Sequence, residues 1–251
     1  MVRKSNSQTS PLPTVATALR IWQHSRLVPL TELPEDLQDR ILILRNHPKV
    51  CAMSHNNNPI SYAAHQDYLR ELGRRQPKVD CCALFCNAIR SLKESDDNGD
   101  SAGLNVLRPI VGVVSVDMRI AGHPLLGLYK NFYHYPHIKM GRTLLFAAML
   151  RASKLGKREV FMECYGQNVA MRKLARQLGF RAESQQGAGQ SLREKTGMGE
   201  MGKEAPGEVD YYQRDLPGGK KLLQDPMFSD FAELNRESIS LQSGAPSLRK
   251  E

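Results

Sequence analysis

The sequence has little of what marks membrane, secreted and metal-binding proteins. It contains 1 tryptophan among 6% aromatic residues, and no apolar run approaches the length of a membrane span. The first residues have no hydrophobic signal-peptide core. They lack acids until Glu32 and carry Ser, Thr and Arg, which also fits a transit peptide, but we favour a disordered basic arm. We therefore expect a cytoplasmic protein without a membrane partner.

The cysteines do not form a pattern that indicates disulfides or a metal site. Their number is odd, and the group at 81–86 lacks the paired spacing of zinc ligands. Cys81 and Cys82 would point to opposite faces of a strand. We expect reduced, mostly buried thiols of an intracellular protein and no metal. The five cysteines are Cys51, Cys81, Cys82, Cys86 and Cys164.

Positive charge is in excess, since 35 Lys and Arg residues face 26 Asp and Glu residues, giving a net charge of +9. This excess has two ordinary explanations, a polyanionic partner such as a nucleotide, CoA or nucleic acid, or a soluble basic surface. No basic block is long or interleaved with aromatic residues, so we expect no nucleic-acid partner.

The chain of 251 residues, 41% of them hydrophobic, can hold one domain with tails or two small domains. Helix and strand patterns extend over 26–216, which we interpret as one domain. It contains a glycine-rich insertion at 185–207 with six glycines. Residues 1–25 are predicted to be a flexible basic arm and 217–251 a C-terminal extension.

The segment from Leu126 to Phe180 is the most informative. It begins with a strand (LLGLYKN) and a turn (HIKMGR), then a helix (TLLFAAMLRASKLG), a strand (REVFMECYGQN) and a helix (VAMRKLARQLGF). A polar turn that opens a helix offers free N–H groups to a pyrophosphate. Gly141 also fits an ordinary turn glycine. Gly179 is placed as a left-handed C-cap.

This segment resembles the acetyl-CoA-binding half of the GCN5-related N-acetyltransferase superfamily. Asn168, Gly179 and Phe180 match the pattern N-x-x-A-x-x-x-Y-x-x-x-G-F, in which Met171 and Ala175 replace the alanine and the tyrosine. The resemblance implies an α/β (α+β) fold with a mixed, mostly antiparallel, twisted sheet, flanked by helices and splayed between two central strands. It implies acetyl-CoA as co-substrate, bound by Leu126, Leu128, Tyr129, Lys139, Met140, Gly141, Arg142, Thr143 and Asn168. Asn168 is also a natural helix N-cap.

The N-terminal half narrows the resemblance. The pieces RNHP and LYKN resemble the N-acetyltransferases of pseudaminic acid biosynthesis. These act on the 4-amino group of UDP-4-amino-4,6-dideoxy-N-acetyl-β-L-altrosamine, a precursor of flagellin-modifying sugars. The resemblance implies that Arg45, His65 and Tyr129 contact this UDP-linked amino sugar. From the residues alone, Arg45 also fits a solvated helix end, His65 an exposed helix residue, and Tyr129 a sheet residue under a helix.

Two further side chains are candidates for proton transfer. In the superfamily, the tyrosine at the position of Ala175 often protonates the departing CoA thiolate, and alanine cannot do so. Tyr165 is our candidate for the missing acid, with Tyr133 or water as alternatives. Glu163 is our candidate to accept the amine proton through water, and it also fits a structural ion pair.

Other functions stay open at this point. One is acetylation of a different amine, such as a protein N-terminus or another sugar. A second is a catalytically silent domain that binds acyl-CoA or a nucleotide, which Ala175 favours. A homodimer is compatible with either.

Overall fold

The structure, a computed structural model, describes residues 21–22, 24–54, 57–74, 78–86, 109–119, 123–182 and 209–216. Most of the predicted arm, the insertion at 185–207 and the extension from 217 onward lie outside the described residues. The first strand begins at Ser25, and Ile21 and Trp22 are buried. The hydrophobic core therefore includes residues before position 26.

Strands and helices alternate along the described chain much as the sequence predicts. The strands are β1 (Ser25–Pro29), β2 (Val79–Cys86), β3 (Ile110–Asp117), β4 (Leu125–Lys130), β5 (Glu159–Tyr165), β6 (Arg181–Ala182) and β7 (Val209–Asp215). The helices are α1 (Glu35–Arg45), α2 (Pro48–Cys51), α3 (Tyr62–Leu72), α4 (Gly141–Lys154) and α5 (Val169–Gln177). Leu30–Glu32 form a 3₁₀ turn. None of these described helices is both long and apolar enough to cross a bilayer.

All described strands belong to a single sheet. Their order is β1-β2-β3-β4-β5-β7-β6. Every neighbouring pair is antiparallel except β4 and β5, which run parallel. The expected mixed, mostly antiparallel sheet flanked by helices is confirmed.

Helix starts follow local capping chemistry. The Ser61 side chain accepts a hydrogen bond from Ala64 N and caps α3, as serine commonly does at a helix start. Helix α1 ends before Pro48, and Pro48 opens the short helix α2. A proline fits the first turn of a helix because its missing N–H is not needed there. His47 Nδ1 completes the start of α2 by accepting from Lys49 N.

The sheet separates two hydrophobic cores. One lies under α4 and α5 and includes Phe146 and Tyr212; the other lies under α1 and α3 and includes Ile41 and Leu44. Cys82 belongs to the first core and Cys81 to the second, as the alternation of strand side chains requires. All five cysteines are buried free thiols, which confirms the prediction of reduced cysteines.

The end of α5 confirms the predicted glycine cap. Gly179 has φ +75°. Its N–H donates to the carbonyl of Arg176, and Phe180 N donates to the carbonyl of Ala175 at 3.0 Å. This pair of bonds is the Schellman arrangement, which satisfies the last carbonyls of a helix.

Candidate functional site

The central strands β4 and β5 separate after a short contact. Their parallel register covers two pairs, Leu125↔Phe161 and Leu126↔Met162. Over Gly127–Lys130, β4 pairs with β3 on its other side, but no register with β5 is formed in the described chain. The peptide groups that face the gap are therefore available to a ligand that runs along the strand edge.

A cavity of about 900 Å³ opens at this gap, on the side of the sheet covered by α1 and α3. Residues of α1 and α3 line one side of this cavity, and residues of β2, β3 and β4 line the sheet side. Residues of β5 and the start of α5 line it across the gap. Its polar lining residues include Arg45, His65, Tyr68, Ser115, Asp117, Arg119, Tyr129, Glu163, Tyr165 and Asn168.

Glu163 and Tyr165, the two proton-transfer candidates, lie two residues apart on β5 and both line the cavity. Tyr165 is buried and Glu163 is half-buried. Burial, and secondly the charge of Glu163, raises the pKa of Tyr165. The phenol is therefore held in its neutral form, in which it can donate a proton.

Arg45 ends α1 with its charged group directed into the cavity wall. Its Nη1 atom is buried and makes no hydrogen bond with any described residue. The guanidinium lies close enough to Tyr129 to oppose the rise in the pKa of that phenol, which burial causes. A buried guanidinium nitrogen without a partner is costly, so it indicates a group that binds there.

His65 also lines the cavity, but it is only 5% exposed, so its interpretation as an exposed helix residue is wrong. Its Nε2 lies 2.9 Å from the backbone carbonyl of Gln38, to which it donates. In a neutral imidazole this bond uses the single N–H, which leaves Nδ1 as an acceptor.

An acidic residue lies in the same cavity on β3. The Asp117 carboxylate accepts hydrogen bonds from the backbone N and the guanidinium of Arg119, at 3.0 Å from the backbone N and 2.9 Å from Nε. Two charges of opposite sign thus offset one another at this edge of the cavity. The partner of Asp117 follows two residues later in the sequence.

The turn before α4 follows the end of β4 and is tied to it and to β3. Asn131 is fully buried; its Nδ2 donates to Ile110 O at 2.9 Å and its Oδ1 accepts from Tyr133 N and His134 N. Lys130 Nζ donates to the carbonyls of Pro136 and Ile138. These bonds fix the turn against the sheet. An asparagine after a strand is a recognisable turn signal, although sequence reasoning did not single it out.

Helix α4 begins at Gly141, directly after this turn, so the first backbone N–H groups of Gly141, Arg142 and Thr143 have no intrahelical acceptor. Met140 precedes them and is buried, as is the Thr143 side chain. A Cβ on Gly141 would lie 3.0 Å from Leu174 Cδ2, because α5 packs close by. The predicted pyrophosphate turn therefore begins a real helix of 14 residues.

Asn168 is the N-cap of α5, and its Oδ1 accepts from Met171 N at 3.2 Å. It also lines the cavity, so the cap and the site coincide at this residue. Ala175 lies seven residues, about two turns, further on and is fully buried beneath the helix. Leu126 is buried on the α4 side of the sheet, with Leu128 packed against the same core, so these two contribute backbone to the gap.

No protein-family model matches the chain, and no curated protein matches its sequence. Solved structures match its fold. Spermidine N-acetyltransferase from Vibrio cholerae, solved with CoA and spermine, aligns with a TM-score of 0.53 at 12% identity, covering 80% of this chain and 98% of that one. A putative acetyltransferase from Acinetobacter baylyi aligns at 0.50 and 16% identity, covering 76% and 93%.

A third similar structure is the N-acetyltransferase PseH of Campylobacter jejuni in complex with acetyl coenzyme A. It aligns with a TM-score of 0.47 at 14% identity, covering 77% of this chain and 99% of that one. The strand order, the separation of β4 from β5 and the two alignments with TM-scores of 0.53 and 0.50 lead to the same fold. This chain has the fold of the GCN5-related N-acetyltransferases.

Proposed function

We propose that this chain is an acetyl-CoA-dependent N-acetyltransferase whose acceptor is the 4-amino group of a UDP-linked amino sugar, as in the pseudaminic acid pathway that serves flagellin glycosylation. The observation that carries the first part is the gap between β4 and β5, which opens into the cavity, together with the start of α4, where Gly141 packs against Leu174 of α5. That arrangement suits a long thioester substrate with an acceptor next to its reactive end.

The acetyl-CoA side of the proposal uses backbone groups. The edge of β4 at Leu126 and Leu128 offers N–H and C=O groups to the amides of pantetheine, as a neighbouring strand would, whereas the Tyr129 carbonyl lies toward Gly112 on β3 and Tyr129 contributes its side chain. The N–H groups of Lys139, Gly141, Arg142 and Thr143 receive the pyrophosphate at the positive end of α4, whereas Met140 N already donates to the carbonyl of Ile138 at 3.0 Å. Asn168 lies across the gap from β4, at the start of α5.

The reaction needs little covalent chemistry from the protein. The neutral amine attacks the thioester carbon, the C–S bond breaks, and the amine loses a proton while the thiolate gains one. A backbone N–H near Leu128 or Tyr129 stabilises the negative carbonyl oxygen. Glu163 takes the amine proton through water. Tyr165, which burial keeps neutral, protonates the thiolate, because Ala175 occupies the position of the superfamily's tyrosine and cannot do so.

The buried, unpartnered Nη1 of Arg45 supports an acceptor that carries an anion. A UDP diphosphate meets this requirement, since guanidinium groups bind phosphate oxygens with paired N–H donors. A polyamine has only cationic groups and would leave Arg45 opposed by like charge. His65 and Tyr129 complete the nucleotide contacts that we propose for the same cavity.

The test is thiol release from acetyl-CoA with three acceptors: the UDP-4-amino sugar named above, spermidine and a peptide with a free N-terminus. We expect turnover with the sugar nucleotide. Arg45→Ala should raise its KM at least about tenfold and leave acetyl-CoA affinity unchanged, whereas Arg70→Ala, on the exposed face of α3, should change neither. An unchanged KM in Arg45→Ala would remove the phosphate role.

A catalytically silent domain is the competing function, and Ala175 is the residue that favours it. It predicts that acetyl-CoA binds by calorimetry while no acceptor triggers thiol release. A second variant examines the acid: Tyr165→Phe should lower kcat by about ten- to a thousandfold without weakening acetyl-CoA binding. Wild-type turnover in Tyr165→Phe would eliminate that phenol as the donor.

A further inference from the structure

A row of paired residues crosses the cavity floor. Cys81 on β2 pairs with Ser115 on β3, and Ser115 pairs with Gly127 on β4. Directly paired residues of antiparallel strands project from the same face of the sheet, here the face under α1 and α3. All three residues line the cavity.

Glu163 lies across the gap from the end of this row. The last common rung of β4 and β5 on this face is Leu125↔Phe161. Two residues further along each strand come Gly127 and Glu163, which both line the cavity but are separated by the splay. The row therefore ends at an open gap with a carboxylate on the far side.

The Ser115 hydroxyl occupies the space that a side chain at position 127 would take. A Cβ built on Gly127 would lie 2.5 Å from Ser115 Oγ, while Ser115 Cβ would be 3.9 Å away. The oxygen of Ser115 thus lies over the glycine, toward the open edge of β4. Ser115 is half-buried, and no hydrogen bond to its Oγ is formed within the described part of the chain. The hydroxyl is free to contact whatever occupies the gap.

We propose that Ser115 Oγ contacts the acceptor amino group and orients it for attack, an inference that rests on the proposed N-acetyltransferase function. A neutral primary amine has two N–H groups and one lone pair, and the lone pair must face the thioester carbon. Ser115 accepts one N–H from the β4 side of the gap, and Glu163, through water, accepts the other from the β5 side. Gly127, which has no Cβ, leaves the room that the Ser115 hydroxyl needs to reach the open edge of β4.

This arrangement explains why the row has no larger side chain at its open end. Any Cβ at position 127 would meet the hydroxyl below the van der Waals distance, so the oxygen and the glycine depend on each other. In reactions without a covalent enzyme intermediate, orientation of the attacking atom contributes a large part of the rate enhancement. Ser115 is a residue that sequence reasoning did not single out, because only the strand register places it beside Gly127.

The experiment compares Ser115→Thr with Ser115→Val, a pair that matches in shape and differs in the hydroxyl. Thiol release is followed at saturating acetyl-CoA with the UDP-4-amino sugar. We expect Ser115→Val to lose about 10- to 100-fold in kcat/KM and Ser115→Thr to stay within about threefold of wild type. Acetyl-CoA affinity and the thermal midpoint should be equal in both variants, which a merely structural role would not predict. Ser115→Ala adds no atoms, and it must lose activity like Ser115→Val if Val does not fold.

Equal kcat/KM in the threonine and valine variants, or wild-type activity in Ser115→Ala, would overturn the role of Ser115 and leave the proposed function intact. A wild-type protein that binds acetyl-CoA but releases no thiol with the sugar nucleotide, spermidine or the peptide would overturn the proposed function, and the Ser115 inference with it. The activity of the wild-type protein therefore separates the two failures.

Discussion

Arg151 on α4 holds Asp80 on β2 through two parallel hydrogen bonds, from Nε and Nη2 to the two carboxylate oxygens, each 2.7 Å long. The side chains are 26% and 13% exposed, so this pair is largely shielded from water. Replacing Arg151 by Met leaves a half-buried carboxylate without its partner. We expect a loss of about 2–4 kcal/mol in the free energy of unfolding, measured by urea denaturation.

Arg70→Met is the matched control for this substitution. Arg70 also pairs with an aspartate, Asp67, but their side chains are 76% and 67% exposed. Exposed pairs contribute about 0–1 kcal/mol because water and salt screen them. Equal losses in the two variants would mean that the pair between α4 and β2 does not stabilise the fold.

Gly156 tests backbone conformation without side-chain crowding. It has φ +74°, and a Cβ built on it meets no atom within 4 Å. We expect Gly156→Ala to cost about 1–2 kcal/mol, because an L residue in the left-handed region is strained. Gly73 is the control: it caps α3 with φ −75° and has only ordinary contacts, so Gly73→Ala should be neutral or slightly stabilising. Similar melting temperatures for both variants would contradict the assigned φ of Gly156.

Features that depend on local chemistry were predicted well from the sequence. Strand β4 lies within the predicted strand segment LLGLYKN, and Gly179 adopts the predicted left-handed conformation. Both features follow from a few neighbouring residues, whose propensities and caps are readable without tertiary information.

Features that depend on register were not predictable. The hydroxyl of Ser115 lies over Gly127 because two strands pair at one offset, and a shift by one residue would place it on the other face. The family resemblance implied that His65 contacts the sugar nucleotide. Its hydrogen bond to the carbonyl of Gln38 could not be predicted, because it requires the packing of α3 on α1. The unpartnered nitrogen of Arg45 likewise follows from the assembled cavity wall and from no sequence motif.

Cys81 makes the free energy of unfolding depend on pH in the alkaline range. Burial raises the pKa of its thiol from 9.0 to about 12, against a hydrogen bond with Tyr68 that lowers it. Between these values the unfolded chain has lost the thiol proton while the folded chain keeps it, so the free energy of unfolding falls as pH rises. Below pH 9.0 this contribution is fully present.

Urea denaturation at about pH 8 and at about pH 10 measures this dependence. Cys81→Ala should have a shallower decline than wild type. Val113→Ala is the control, since it removes a buried side chain from the same core without a titratable group. An undiminished decline in Cys81→Ala would assign the alkaline effect to other groups.

Gly112 and Gly127 both lack room for a Cβ, but for different reasons that a pair of double variants can separate. At Gly112 the Cβ would lie 2.6 Å from the Tyr129 carbonyl oxygen and 2.8 Å from Leu144 Cδ2. Gly112→Ala should therefore cost about 1–3 kcal/mol in urea denaturation. Adding Leu144→Ala should not restore stability, because the carbonyl cannot be removed and a buried leucine has been lost.

The single obstacle at Gly127 is a removable hydroxyl, so rescue is expected there. Gly127→Ala should be destabilised, and Ser115→Ala in the same chain should recover most of the loss, since the nearest remaining Ser115 atom, its Cβ, is 3.9 Å away. The coupling energy between the two sites is read directly from the four chains of the cycle. A Gly127→Ala chain as stable as wild type would mean that β3 and β4 do not pair in this register.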